Sequence, residues 1–551
     1  MFARYRFHSM WKQVATLVLA VVMCACRSES EGASNSGEGG ASWLRGGSFN
    51  ASSGGTTNGV SNGSSGGTVS GSSGGPSSGG ASNRGGASNG GASSAAGPSR
   101  GGASNAGASS GGGASALGGA VGSGGTGING GATGSGGAPI ASDAIYVSPS
   151  GVDTNSGTLV QPLYSLAVAV MRVKAGGTIY VRGGTFKYSA TVALASSGSA
   201  SSPTRILSYE DEKPILDFSM QPNGDEQRGV LLTGSYWQIY GLEIAYAGDN
   251  GIKIEGSYNK IERCVFHHNG DTGLQLGFGH DTVNPDGTLC AGNEIINCDS
   301  YLNFDFAGKG GNADGFACKM HNGKGNVFRG CRAWHNSDDG WDLYETDWPV
   351  EISNSWSWHN GDQADFDAIY LAEMGVEMSS YSGNGNGIKL GGNGAGGSSK
   401  GTHVVKNCVA FNNNFRSKKG FDQNSHKGGV RVVNSLAWGN GYNFMFEEDP
   451  DSGATNEFIN NVAFAPGTSL GMEFSSSAVL RNNSWQLPVT ADTTDFLELS
   501  EMAAGAPRQA DGSLPNNGFA RLTAGSDLVD KGIDVQLPFN GSAPDLGAFE
   551  H

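Results

Sequence analysis

The sequence predicts an all-β parallel β-helix over residues 143–551, and three observations predict it. One phrase recurs along this region: an apolar residue, one or two residues, then Asn or Gly before Cys or Ser, with an Asn five residues later. Its instances are Arg263-Cys264 with Asn269, Asn297-Cys298 with Asn303, Gly330-Cys331 with Asn336, Asn354-Ser355 with Asn360, Asn407-Cys408 with Asn413, and Asn434-Ser435 with Asn440, with a weaker echo at Asn460-Asn461. A second phrase follows most of these, a Gly opening a short alternating strand: Gly251-Ile-Lys-Ile, Gly273-Leu-Gln-Leu, Gly340-Trp-Asp-Leu, Gly387-Ile-Lys-Leu and Gly420-Phe-Asp-Gln. The shortest repeats are 24 to 27 residues, and the longer ones (34, 33 and 53) imply insertions between turns. Short strands divided by Asn and Gly turns at such a period stack into a solenoid, because one coil alone cannot bury its apolar face.

The elements follow in chain order. Residues 1–26 read as an export signal: Arg4, Arg6 and Lys12 precede an apolar run from Val14 to Ala25, too short to span a bilayer comfortably. The run ends Met23-Cys24-Ala25-Cys26, which resembles a bacterial lipoprotein signal with Cys26 as the lipidated residue, although Met23 and Cys24 are unusual there; an ordinary cleaved signal peptide is the alternative. Either makes a secreted or cell-surface protein, and lipidation adds a membrane anchor. Residues 27–140 are Gly, Ser, Ala and Asn with recurring Gly-Gly-Ala-Ser, a composition that buries too little apolar surface to fold and reads as a disordered linker and tether. Ile145-Tyr-Val opens the folded domain. Tyr164 to Lys174 is a short amphipathic helix suited to capping the open end of a solenoid, and Gly177-Thr-Ile-Tyr-Val begins the first coil. The tail from Ser542 to Glu550 closes the domain. Cys264, Cys298, Cys331 and Cys408 share one repeat position with Ser and Asn, so they read as small buried side chains rather than disulfides or a zinc site; Cys290 and Cys318 fall outside that ladder. A net charge of −16 excludes nucleic acid as a partner and requires a local cationic group, metal or amine, for any anionic substrate. A monomer is expected.

The chemistry concentrates in Asn312-Ala-Asp-Gly-Phe and Asn336-Ser-Asp-Asp-Gly-Trp-Asp. Asp314, Asp338, Asp339 and Asp342 gather four carboxylates in two similar phrases 24 residues apart, and a hard cation such as Ca²⁺ is the economical reason for such a cluster. Aligning the coils on the Gly of the second phrase places Lys253, Gln275, Ala317, Asp342, Lys389 and Asp422 in one column, with Ile252, Leu274, Phe316, Trp341, Ile388 and Phe421 pointing inward. The polar column is therefore expected to face solvent, with coils about 4.8 Å apart. Lys389 falls one or two coils beyond Asp342, depending on whether residues 343–384 supply a complete coil. It is bracketed by Gly385-Asn-Gly and Leu390-Gly-Gly, glycines that would let a ligand approach the backbone.

At these residues the chain resembles polysaccharide lyase family 9, the pectate lyases of right-handed β-helix fold. The resemblance rests on Asn312-Ala-Asp-Gly-Phe-Ala, Ser337-Asp-Asp-Gly-Trp-Asp, Gly385-Asn-Gly-Ile-Lys-Leu-Gly-Gly and Lys419-Gly-Phe-Asp-Gln-Asn, and it covers about residues 143–551. It implies that Asp314, Asp338, Asp339 and Asp342 bind an essential Ca²⁺ and that Lys389 is the Brønsted base. One departure is Ile388, where the family usually shows Phe. The implied reaction is β-elimination on polygalacturonate, in pectin breakdown, with an alkaline optimum because an ordinary lysine is mostly protonated at neutral pH. Basic residues Arg416, Lys418, Lys419 and Lys427, with Asp422, are candidates for substrate contact, or else loop residues that serve solubility. Alternatives stay open at this point: a lyase on rhamnogalacturonan or a glycosaminoglycan-like uronate polymer, a β-helical glycoside hydrolase with a paired acid and base, or a non-catalytic surface adhesin.

Overall fold

A computed structural model describes residues 143–279, 284–392, 401–413, 415, 418–468 and 471–551. The expected signal with Cys26, the linker 27–140 and Arg416 lie outside the described residues. Among those residues the strands form three parallel sheets of twelve, ten and ten strands. The first sheet runs from Ile145–Val147 to Val479–Arg481, the second from Gly184–Lys187 to Val462–Phe464, and the third from Val192–Leu194 to Met472–Phe474. Each coil contributes one strand to each sheet, so the architecture is the expected parallel β-helix.

The repeated phrases explain the corners. In one coil Lys260–Glu262 lies in the first sheet, Arg263 turns with φ 53°, Val265–His267 lies in the second sheet, His268 turns with φ 56°, and Leu274–Leu276 lies in the third. Later coils place Asn297, Gly330, Asn354, Asn407 and Asn434 at the first corner, all with positive φ. Gly and Asn adopt this left-handed backbone with the least penalty, which is why they precede Cys or Ser in the phrase. The residue after the second corner is the recurrent Asn. Its side-chain amide donates to the Asn of the next coil: Asn269 to Asn303 at 2.9 Å, Asn303 to Asn336 at 2.8 Å, Asn336 to Asn360 at 3.1 Å, Asn360 to Asn413 at 3.0 Å and Asn413 to Asn440 at 3.1 Å. A second ladder, absent from the sequence reading, joins Asn259, Asn293 and Asn326 at the corner that returns to the first sheet.

Core packing follows the same register. Ile252, Leu274, Phe316, Trp341, Ile388 and Phe421 pair in sequence across the third sheet and are fully buried. The Phe316 and Trp341 rings stack at 5.1 Å. All six domain cysteines are buried free thiols, and burial pushes Cys290 up to about 12, so they behave as small core side chains. Helix α1 (Leu166–Arg172) is capped by the Ser165 hydroxyl, which accepts from the Val168 N–H, and packs Leu166 and Ala169 into the core at the first coil.

The 53-residue interval between Ser355 and Cys408 contains one coil. Val350–Ser353 and Trp356–Trp358 lie between Asp342 and Lys389, and loop 361–386, with the unforeseen helix α2 (Asp367–Met374), accounts for much of the excess. Phe366, Tyr370, Met378 and Tyr381 of this loop pack with Phe304 in a small cluster of their own. Residues 487–549 cover the outer face of the second sheet, where Phe519, Leu528 and Leu546 pack on Trp356, Trp358, Phe411 and Trp438. The reason is in the sequence: those outward positions are aromatic and need a cover. Asp299 clamps this tail, bonded to Arg508 at 2.6 Å and to Arg332 at 2.8 Å. Arg332 in turn donates to the carbonyls of Ala504 and Ala506 at 2.8 Å, at the end of helix α3 (Glu501–Ala504).

Two outcomes follow. Asn413→Ala orphans the backbone N–H of Asn360 and removes a ladder donor, and it should cost about 1–3 kcal/mol per unsatisfied buried group; an unchanged urea midpoint would refute the ladder's role. Burial pushes the Asp299 carboxyl up, but Arg508 and Arg332 outweigh burial and hold it below its ordinary range. With the folded value below the unfolded one, the clamp contributes above about pH 4 and is lost as pH falls further. Limited proteolysis should therefore release the tail in acid, and Arg508→Met should release it at neutral pH as well; equal resistance of the variant at pH 7 counts against the clamp.

Candidate functional site

The register places the polar column as the spacing predicts: Lys253 pairs with Gln275, then Ala317, Asp342, Lys389 and Asp422 follow, each on the next coil. Lys389 is thus one coil beyond Asp342. The glycine opening each strand lets these coils close up. A Cβ on Gly340 would lie 2.5 Å from the Gly387 carbonyl oxygen and 3.1 Å from the Asn360 amide nitrogen.

Three of the four aspartates converge. Carboxylate oxygens of Asp314, Asp338 and Asp339 all lie within 4.8 Å of one another. Asp314 and Asp339 precede equivalent glycines on successive coils, and the Asp339 N–H donates to Asp314 Oδ1 at 3.2 Å. Asp342 stands beside them on its strand, bonded to the Tyr344 N–H at 3.0 Å. Loop 361–386 supplies part of the frame: the backbone N–H of Asn384 donates to Asp338 Oδ1, and that of Asn386 to Asp339 Oδ1 at 2.8 Å. The N–H of Asn312 donates to Asp338 Oδ2 at 2.9 Å.

Two amines meet this cluster. Lys389 Nζ is 2.7 Å from Asp339 Oδ2 and 3.2 Å from Asp342 Oδ1. Lys319, which the sequence reading missed, places its Nζ 2.7 Å from Asp314 Oδ2, 3.2 Å from the Asn312 carbonyl and 3.6 Å from Asp342 Oδ2. No repeated phrase marks Lys319, since it stands just past the strand Phe316–Cys318, in the turn. Thr272 was also missed; its hydroxyl donates to Asp314 Oδ2 at 3.1 Å from the preceding coil.

The polar column does not face open solvent. Asp342 and Lys389 are only 4 % and 7 % exposed, and Asp314 and Asp339 are fully buried. Side chains one strand spacing apart cover one another, and the backbone of loop 361–386 comes down on Asp338 and Asp339. The bracketing glycines also serve a different end from the expected room for a ligand. Cβ atoms at Gly385, Gly387 and Gly391 would meet the Asn360, Gly420 and Gln423 carbonyl oxygens at 2.6 to 2.7 Å, so coil packing demands them. Lys419 bonds Asp422 at 3.2 Å, on the coil after Lys389, so these two border the site. Lys427 is held by Glu448 at 2.6 Å and by the Asp449 carbonyl at 3.0 Å, in the turn beyond the strand.

Electrostatics mark the cluster as incomplete. Burial, with the neighbouring carboxylates, pushes Asp339 up to about 7 and Asp314 well above the carboxylate range, although Lys389 and Lys319 pull the other way. For Lys389 burial acts to lower the amine, and Asp339, Asp342, Asp338 and Asp314 outweigh it and hold it well above its usual value. Four carboxylates therefore share two amines in a desolvated place, an arrangement that costs free energy unless a further positive charge arrives. A hard divalent cation with an all-oxygen preference fits this donor set, and Asp314, Asp338, Asp339 and Asp342 are the residues that could hold it.

Known proteins share the fold. Residues 145–461 match the family model described as Pel9A-like, right handed beta helix region. The chain is 36% identical over 414 residues to pectate lyase L of Dickeya chrysanthemi, covering 74% of this chain and 90% of that one. The crystal structure of pectate lyase Pel9A superposes with a TM-score of 0.65 at 35% identity, covering 75% of this chain and 97% of the other. A solved rhamnogalacturonan lyase superposes with a TM-score of 0.58 at 27% identity, covering 69% and 96%.

Proposed function

Because this chain belongs to polysaccharide lyase family 9, the Pel9A-like right-handed β-helix enzymes, we propose that it is a calcium-dependent pectate lyase that cuts α-1,4-galacturonan by β-elimination with Lys389 as the base. One observation carries the reading beyond the family: the Lys389 amine sits 2.7 Å from Asp339, on the coil directly after the converging carboxylates. An acidic sugar held at those carboxylates by a cation has its C5 hydrogen within the same small space as an amine.

Calcium at Asp314, Asp338, Asp339 and Asp342 would supply the positive charge that binds the uronate carboxylate and offsets the charge developing beside it. The chain's own residues do the rest. A cation on those carboxylates would offset the negative charge that holds the Lys389 amine protonated, and Lys389, as a neutral amine, takes the proton from C5, α to the carboxylate. The electron pair released forms the C4–C5 double bond, the bond from C4 to the glycosidic oxygen breaks, and that oxygen takes a proton from solvent. Asp339 and Asp342 aim the amine, and the Asn386 N–H fixes Asp339 in turn. Lys319 commits its amine to Asp314 and to the Asn312 carbonyl, so its part is to position Asp314. Lys419 and Asp422 lie where a chain running along the third sheet would pass.

The structural likeness to a rhamnogalacturonan lyase favours one second reading, that of a backbone in which rhamnose alternates with the uronate. A panel of polygalacturonate, rhamnogalacturonan and a glycosaminoglycan separates these, read by ultraviolet absorbance of the unsaturated product. Hydrolysis without that product would remove the lyase reading altogether. Lys389→Ala should lower kcat on the preferred polymer by ~10²–10⁴-fold, the usual contribution of a positioned base; retention of full activity in calcium would end the assignment. Calcium should also raise the melting temperature reversibly, since ligand at a hundred times its Kd adds about 2.7 kcal/mol to stability. Asp338→Asn should abolish that calcium-dependent rise, and an undiminished rise would place the ion elsewhere.

A further inference from the structure

Outside the carboxylate cluster, the described residues assemble a second set of metal-ligating side chains. His335 and His359 occupy the same corner of successive coils, in the phrases Trp334-His335-Asn336 and Trp358-His359-Asn360. Both take a left-handed backbone, φ 51° and 52°, and their rings lie 4.2 Å apart, centroid to centroid. Loop 361–386 brings two carboxylates to them. Asp365 Oδ2 is 2.7 Å from Nδ1 of His335, and Asp362 Oδ2 is 3.4 Å from Nε2 of His359. From α3, Glu501 Oε2 is 3.1 Å from Nδ1 of His359. Ligating atoms of His335, His359 and Asp365 all fall within 4.8 Å of one another.

The geometry points to a transition-metal site, with zinc as its occupant, held by His335, His359 and Asp365 and completed by Asp362. Two imidazoles with carboxylates suit zinc, whereas calcium takes oxygen donors throughout. Around tetrahedral zinc, with ligands about 2.0–2.2 Å from the metal, donor atoms stand about 3.4 Å apart. The Asp362–His359 separation already has that value, and the donor atoms of the three-residue set, all within 4.8 Å of one another, need to shift by at most about 1.4 Å. Glu501 at Nδ1 leaves Nε2 of His359 for the metal, the arrangement in which an outer carboxylate fixes the tautomer of a ligating histidine. In the metal-free chain, shared protons join the donor pairs that the ion would bridge. The side chains of all five residues keep between 24% and 33% exposure, so the ion has a path from solvent.

Such an ion would tie two coils of the solenoid to the loop that also lends the Asn384 and Asn386 N–H groups to Asp338 and Asp339, and Glu501 on His359 would join the tail at α3 to them. It would brace one wall of the carboxylate site without entering it.

The test uses the full chain purified without a polyhistidine tag and freed of metal, titrated with zinc in saturating calcium so that the carboxylate cluster is already served. Calorimetry should find one zinc per chain at this site, and the melting temperature should rise by a few degrees. His335→Gln/His359→Gln should lose both effects, judged as the difference with and without zinc so that the lost ion pairs do not enter. Asp365→Asn, a change on the loop, should weaken zinc by about 10–100-fold. Absence of zinc binding, or an affinity unchanged in the double variant, would overturn the site. If the double variant does not fold, an unchanged affinity in Asp365→Asn overturns it alone.

Discussion

The amide ladder at the second corner is the constraint on which everything else depends. A parallel sheet built of three-residue strands has little to hold its register, and a slip of one residue would exchange core and outer faces. Each ladder Asn donates its side-chain amide to the Asn of the next coil and accepts from the Asn of the preceding one, and the backbone N–H of one coil is satisfied by the amide oxygen of the next. Buried and mutually satisfied, these groups leave no alternative pairing that does not orphan several polar atoms. The Asn positions therefore set where each strand of the third sheet begins. Asp314, Asp339 and Lys389, from three successive coils, come together because the two ladder steps between those coils are of similar length.

The site inverts the usual relation between charge and exposure. Its aspartates are buried among backbone N–H donors from two loops, and its lysines are buried among the aspartates. Such a network is costly to desolvate and has an excess of negative charge, which gives it a use only with a cation and an anionic ligand present. Asp342 and Lys389 stand on paired strands and Asp314, Asp338 and Asp339 just before strands of that sheet, while the loop donors come from the segment that varies most in length between coils.

Much of this was legible in the residues. Column membership, the direction of Trp341 and Ile388, and the stacking of Asp314 on Asp339 all follow from a period of two within strands and one Gly per coil. The cysteines were readable as core because Ser and Asn share their position. Burial of the site was not readable, since it depends on loop 361–386, whose Asn384 and Asn386 act through backbone N–H groups that any residue but proline provides. Lys319 escaped because it belongs to a turn, where periodicity carries no information. The path of the tail was also hidden: the outward Trp356, Trp358, Phe411 and Trp438 told of a cover without saying which segment supplies it.

That tail changes what kind of object the solenoid is. A stack of coils in contact only with their neighbours behaves as a one-dimensional chain of domino-like units, free to fray from either end. Here residues 499–549 run back along the stack, touching Asp299 through Arg508, Trp356 through Phe519 and Asn460 through Gly547. Coils more than a hundred and fifty residues apart are thereby made to open together or not at all, as a strap along the spine of a stack of plates makes the stack one piece. The last coils, which carry no part of the carboxylate cluster, acquire through this strap a share in keeping its geometry.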